Sequence, residues 1–149
     1  LYEGHTFVLS PLPRTSEAAL ALGRELASAT GAHPLVLDAQ RQDFLVGTVS
    51  HLPYMLACAL VATADATTSA DPAAWEIVAG GFRDTSRVSG SDVTMMLDIL
   101  MTNREEVLKA VATCQEQLAH LASLVGNGDE DALRNALSAI RETRLEMVP

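Results

Sequence analysis

Beyond Asp38 the chain carries no further β-like run, and all that follows reads as a succession of helical patterns. The longest spans about Ala39 to Ala66, which at roughly 1.5 Å per residue makes a helix about 40 Å long. Pro53 stands in its middle. A proline there leaves the Val49 carbonyl without its helical donor, so the pattern predicts a kinked helix. Its apolar character predicts a central, buried position. A shorter helix is expected over Pro72–Val78, then a loop from Gly80 to Arg87, then a helix capped by Ser91 with Asp92 in its first turn. Val107, Val111, Cys114, Leu118, Leu121 and Val125 alternate spacings of four and three, the pattern of a packing seam that faces either the chain's own core or a partner. Gly126-Asn127-Gly128 breaks that helix. Asp129, Glu130 and Asp131 open a last one with Leu133, Leu137 and Ile140 inside and Arg141 and Arg144 near its end, as the helix dipole favours.

The first 37 residues have a different grammar. His5 to Pro11 is a β-rich run ended by proline, Thr15 or Ser16 caps a helix over Glu17–Ala29 that stops at Thr30-Gly31, and Pro34–Leu37 is a second apolar run. On the helix, Ala18, Leu22, Leu26 and Ala29 form one apolar stripe. Strand, helix, strand is the wording of an α/β layer, yet two strands do not make an independent sheet. The fold expected is therefore mainly α: residues 1–37 as the tail of a larger α/β domain, and residues 38–149 as a helical domain. With no initiator methionine, the chain reads as a fragment.

A formal charge of −9 without a concentrated basic face argues against a nucleic-acid partner. No apolar run is expected to reach the roughly 20 residues of a membrane span, since Thr63 and Asp65 interrupt the stretch from Pro53, and the first residues lack a signal peptide. Cys58 and Cys114 fall inside apolar helical patterns and are expected to be buried thiols in a reducing, cytoplasmic compartment. Neither they nor the scattered His5, His33, His51 and His120 have metal-ligand spacing, so no metal site is expected.

Chemistry concentrates in Gly80-Gly81-Phe82-Arg83-Asp84-Thr85-Ser86-Arg87. The Arg87 guanidinium is a permanently charged fork that holds a carboxylate with two hydrogen bonds. Asp84, three residues earlier, either orients one of Arg83 and Arg87 for a ligand or forms a purely structural ion pair with both. Adjacent glycines permit positive φ and a close backbone approach. On the long helix Ser50, His51 and Tyr54 fall within one turn, with Ser50 and Tyr54 on one face by their spacing. His51 reads either as a ligand contact or as a core histidine satisfied by a carbonyl, and Tyr54 either as a ligand contact or as a core residue with its hydroxyl at the rim. The chain has no dinucleotide loop of the GxGxxG kind and no Walker loop.

Taken together, Ser50-His51-Leu52-Pro53 on a helix, Ala79-Gly80-Gly81-Phe82-Arg83-Asp84-Thr85-Ser86-Arg87-Val88, and Ser91-Asp92 before another helix strongly resemble the prephenate and arogenate dehydrogenases of tyrosine biosynthesis. The resemblance spans essentially the whole chain. It implies that residues before about 38 end a nucleotide-binding domain and that the rest is a helical domain supplying part of the substrate pocket and a homodimer interface. The complete enzyme would move hydride from the ring carbinol carbon of a cyclohexadienyl carboxylate to NAD or NADP, while loss of the ring carboxylate as CO2 makes the product aromatic. By the same resemblance Arg87 grips a substrate carboxylate, Asp84 is its acidic partner, and Ser50 and His51 line the pocket. The general base and the cofactor loop are expected upstream, so no catalytic base is assigned here and the chain alone is expected to be inactive.

Two departures bear on the substrate. The family often has His-Asp about eight residues before Ser-His, where this chain has Gln42-Asp43, and a second histidine where this chain has Tyr54. A neutral hydroxyl in place of a possible cation tolerates the ammonium of arogenate better, and prephenate is retained as the expected substrate with arogenate as the alternative. From a different class, a noncatalytic helical dimerisation module with a structural Arg-Asp loop also accommodates the Val107–Val125 seam.

Overall fold

The computed structural model describes residues 1–71 and 73–147. It is mainly helical, with one pair of short strands among the described residues. β1 (Thr6–Leu9) and β2 (His33–Val36) pair in parallel, Thr6 opposite His33 and Leu9 opposite Val36. Parallel strands need a crossover, and α1 (Glu17–Ala29) supplies it. Pro34 has no N–H to give, which a two-stranded ladder tolerates because both strands are edges. The Ser16 hydroxyl caps α1 by accepting the Ala19 N–H at 3.2 Å, and Gly31 closes the turn beyond it at φ +80.

The apolar stripe of α1 is not its buried face. Leu22 and Leu26 are 56% and 62% exposed, whereas Ala27 is buried and Gly23 lies against the Leu9 side chain. Only the narrow, small-residue side of the helix meets this small sheet. The larger residues lie open.

A continuous helical path then runs through α2 (Ala39–Val46), a π-helical turn over Gly47–His51, and α3 (Leu52–Thr68). Asp38 caps α2, its Oδ1 accepting the Arg41 N–H at 2.8 Å. The interruption expected at Pro53 thus occurs one turn earlier and takes another form. The Leu52 N–H donates five residues back to the Gly47 carbonyl, and the widened turn places Pro53 in the first turn of α3, where a missing N–H leaves no gap in the ladder.

The expectation that this path is central and buried is not met. Ala57 is fully buried, but Val49 is 72% exposed and Leu56 and Phe44 are exposed as well. By length and composition Ala39–Thr68 also passes for a membrane-crossing helix, so the expectation that no apolar run comes near that length is corrected. A helix packed inside a protein passes the same test.

α4 (Ala73–Glu76) lies within the shorter helix foreseen over Pro72–Val78, whose first residue, Pro72, is outside the described residues. The segment foreseen as a loop is helical: α5 (Gly80–Ser86) runs directly into a 3-10 turn over Arg87–Gly90, and both pack on α3. Gly80 and Gly81 have no positive φ, so the conformational freedom expected of the pair is not used. α6 (Val93–Thr102) is capped by Asp92 rather than Ser91, with Asp92 Oδ1 accepting the Met95 N–H at 2.8 Å. α7 (Arg104–Asn127) carries the four-three seam, of which Val107 is buried while Leu118 and Val125 are exposed. Gly128 turns the chain at φ +67 into α8 (Glu130–Met147).

By packing, the chain divides into two compact units, Leu1–Val107 and Leu108–Pro149. The change from strand to helix at residue 38 falls inside the first. Cys58 and Cys114 are free thiols, both half-buried rather than buried.

Candidate functional site

The π-turn has two opposite sides. Ser50 is exposed, while its neighbour His51 is only 9% exposed. His51 is held by a residue 52 positions away: Asn103, at the junction of α6 and α7, places its side-chain Nδ2 3.2 Å from His51 Nδ1 and donates from the same nitrogen to the Asp43 carbonyl at 2.8 Å. Asn103 is also 9% exposed, and its own carbonyl accepts the Val107 N–H at 3.1 Å in the first turn of α7. The close approach of α7 depends on Gly47. A Cβ there would stand 3.2 Å from Glu106 Cβ and 3.4 Å from its backbone carbon, so only glycine lets the turn and α7 meet at this distance. Burial pulls the His51 pKa below its ordinary 6.5, partly opposed by the negative charge of Asp43. His51 is therefore a satisfied interior histidine that stays neutral at physiological pH.

A cavity of about 310 Å³ opens beside this turn. Ser50, Pro53 and Tyr54 line it from the long helix, and Val88, Ser91 and Met96 line it from the segment that follows Arg87. Its size is at the small end of the roughly 300–1,000 Å³ typical of small-molecule sites. The wall is mostly apolar. Of its two serine hydroxyls, that of Ser91 donates to the Val88 carbonyl at 2.7 Å. The neighbouring Cys58 thiol, together with burial, pushes the Tyr54 pKa above the ordinary phenol value. Tyr54 is thus a neutral group throughout the physiological range.

Arg83, Asp84 and Arg87 all lie exposed on α5 and the turn after it. Among the described residues no ion pair links Asp84 to either arginine, which removes the structural salt bridge as the purpose of the segment. Ser86, between them, is committed to its own helix, its hydroxyl donating to the Phe82 carbonyl at 2.6 Å. Of the five residues expected at the site, Ser50 and Tyr54 share the cavity, His51 is buried outside its lining, and Asp84 and Arg87 lie on the exposed segment leading into it at Val88. Sequence reasoning passed over Asn103. An asparagine directly before the acidic first turn Arg104-Glu105-Glu106 is a helix-start signal, which explains its backbone role but not its hold on His51.

A larger cavity of about 410 Å³ runs along α8 between Leu133, Arg134, Leu137 and Arg141. One helix alone bounds it and none of the motif residues reach it, so the smaller cavity is the better candidate. Among the described residues no three His, Cys, Asp or Glu side chains gather as a metal site would require.

The fold and site define a mainly helical domain with a small, mostly apolar cavity and a long apolar helix left largely uncovered. Residues 38–139 match the family model described as prephenate dehydrogenase, dimerization domain, and the chain belongs to that family. It is 31% identical over 124 residues to the prephenate dehydrogenase of Lactococcus lactis subsp. cremoris, a match covering 83% of this chain and 35% of that protein. The crystal structure of prephenate dehydrogenase from A. aeolicus in complex with hydroxyphenyl propionate and NAD+ superposes with a TM-score of 0.90 at 31% identity, over 98% of this chain and 51% of that one. Synechocystis arogenate dehydrogenase gives 0.89 at 26% identity, over 99% and 54%. The chain thus spans between about a third and a half of these relatives.

Proposed function

We propose that this chain is the helical, substrate-binding and dimerisation part of a cytoplasmic prephenate dehydrogenase, with residues 1–37 closing its nucleotide-binding domain and residues 38–149 forming the helical one. The observation that carries the proposal is the meeting of two distant motif segments: Ser50 and Tyr54 share one cavity with Val88 and Ser91, the residues just after Arg87. In the reaction a hydride leaves the ring carbinol carbon for the nicotinamide and the hydroxyl proton goes to a base. The ring carboxylate departs as CO2, its bonding electrons completing the aromatic ring. This chain contributes binding and orientation. Arg87, exposed and free of an internal carboxylate, offers its fork to a substrate carboxylate, while the apolar wall of the cavity suits the cyclohexadienyl ring.

The chain by itself does not fit the cofactor. The β1–α1 connection reads Ser10-Pro11-Leu12-Pro13-Arg14-Thr15-Ser16, with no glycine to let a pyrophosphate approach the backbone, so NAD or NADP is assigned to residues outside it. The exposed apolar faces of Val49, Leu56, Leu118 and Val125 support a homodimer through the helical domain. Arogenate is the competing substrate, because Tyr54 is neutral and places no cation against an ammonium.

Steady-state kinetics of the full-length protein with prephenate and arogenate, each with NAD and NADP, test the proposal. Turnover of prephenate with the higher kcat/KM is expected. A higher value for arogenate reassigns the substrate, and no turnover of either rejects the reading.

A further inference from the structure

The hydrogen bonds around Asn103 determine more than its own placement. The Asp43 carbonyl can only accept, so the Asn103 group lying 2.8 Å from it must be the amide NH2 and not the amide oxygen. That NH2 has a second hydrogen, and the atom available to it is His51 Nδ1 at 3.2 Å. A ring nitrogen that accepts carries no proton. In a neutral imidazole the proton then sits on Nε2.

We infer that Asn103 is a positioning residue that holds His51 as the neutral Nε2–H tautomer, leaving its second ring nitrogen a hydrogen-bond donor and not a base. An imidazolium would turn an Nδ1–H against the Asn103 NH2, donor against donor, so the same contact opposes protonation. The groups packed on the ring agree. His51 and Asn103 are each 9% exposed, the charged neighbour on α2 is Asp43, and Glu106 of α7 lies against Gly47. Burial lowers the His51 pKa more than Asp43 raises it, in keeping with a neutral ring. In the dehydrogenase reading above, on which this consequence rests, His51 lies outside the cavity lining and takes no part as the base; it acts by fixing the turn that carries the cavity-lining Ser50.

Side-chain nitrogen NMR of the full-length protein, with ¹⁵N-labelled histidine and His51 assigned by its loss in His51→Gln, reads the tautomer directly. The unmutated protein is expected to show a pyridine-like Nδ1 and a protonated Nε2 at neutral pH. Asn103→Leu, of similar volume but with no donor, is expected to show a mixture of both tautomers and a lower Tm, with NAD(P) affinity retained. With prephenate or arogenate, its KM is expected to rise several-fold as the turn carrying Ser50 loses its anchor, with kcat changed much less. A protonated Nδ1 in the unmutated protein overturns the inference even if Asn103→Leu does not fold. An unshifted tautomer, or an unchanged KM, in a folded Asn103→Leu overturns it as well. Failure of the dehydrogenase reading shows separately, as absence of turnover by the unmutated protein.

Discussion

The π-turn at Gly47–His51 and the α5 segment at Gly80–Arg87 both carry glycine and a polar residue expected to meet substrate, yet they are built in opposite ways. The first is finished by its own chain: Gly47 lies against Glu106, His51 is bonded to Asn103, and Asn103 to Asp43. The second is left open, with Gly81 meeting nothing within 4 Å, Arg83, Asp84 and Arg87 exposed, and no ion pair joining Asp84 to either arginine. A charged side chain without an internal partner pays little to be replaced and has most to gain from an incoming ion. The difference teaches that the buried side of the first segment serves stability, while the charged groups of the second are left free for recognition.

The sharpest way to break this comparison is Arg87→Lys. In the full-length protein kcat/KM for the cyclohexadienyl substrate should fall roughly 10- to 100-fold, because an ammonium cannot reproduce the two-bond fork, while Tm and nucleotide KM stay as they were. A lower Tm with unchanged substrate kinetics would reverse the roles assigned to the two segments.

Gly47→Ala probes the other side. The added methyl needs Glu106 and the start of α7 to move by a few tenths of an ångström, and the packing penalty should exceed the helix propensity gained, for a net loss of about 1 kcal/mol in chemical denaturation. Equal or greater stability would mean that α7 yields freely and that the turn is not close-packed. Gly81→Ala should do the opposite. With open space around the new methyl and helical backbone on either side, it is expected to gain about 0.5 kcal/mol, and a loss would point to a neighbour that covers this surface.

The smallest effect sharpens the picture of His51. Its folded pKa lies below its ordinary 6.5, so below that value the unfolded chain binds the proton more readily than the folded one. Stability should therefore rise with pH from the lowered folded value up to about 6.5 and level off above it. Comparing denaturation midpoints across that window, His51→Gln should flatten this part of the slope. An unchanged slope would assign it to other groups.

Local features were legible from sequence where their partners are near in the chain. Ser16 as a cap is an example, since its bond to Ala19 closes within three residues. The Ser91 cap was misplaced by one residue because Asp92 competes for the same role with a stronger acceptor. The Gly80–Gly81 pair suggested a loop, yet its backbone is helical, since glycine permits unusual φ without requiring it. At the candidate site, the i, i+4 spacing of Ser50 and Tyr54 was enough to put them on one wall. Nothing in that spacing foretold that His51, one residue on, would turn to Asn103.

From its sequence alone this protein is a mainly helical chain with a short β-α-β start, a long interrupted helix, and the Ser-His and Arg-Asp-Arg segments of its family, because periodicity, caps and motif spacing act over a few residues. Tertiary structure decided three further things: that the interruption is a π-turn, that His51 is interior, and that the apolar helix is largely uncovered. Each depends on a surface brought from far along the chain, or on one the chain leaves free, and apolar character records that a side chain seeks cover without recording what supplies it.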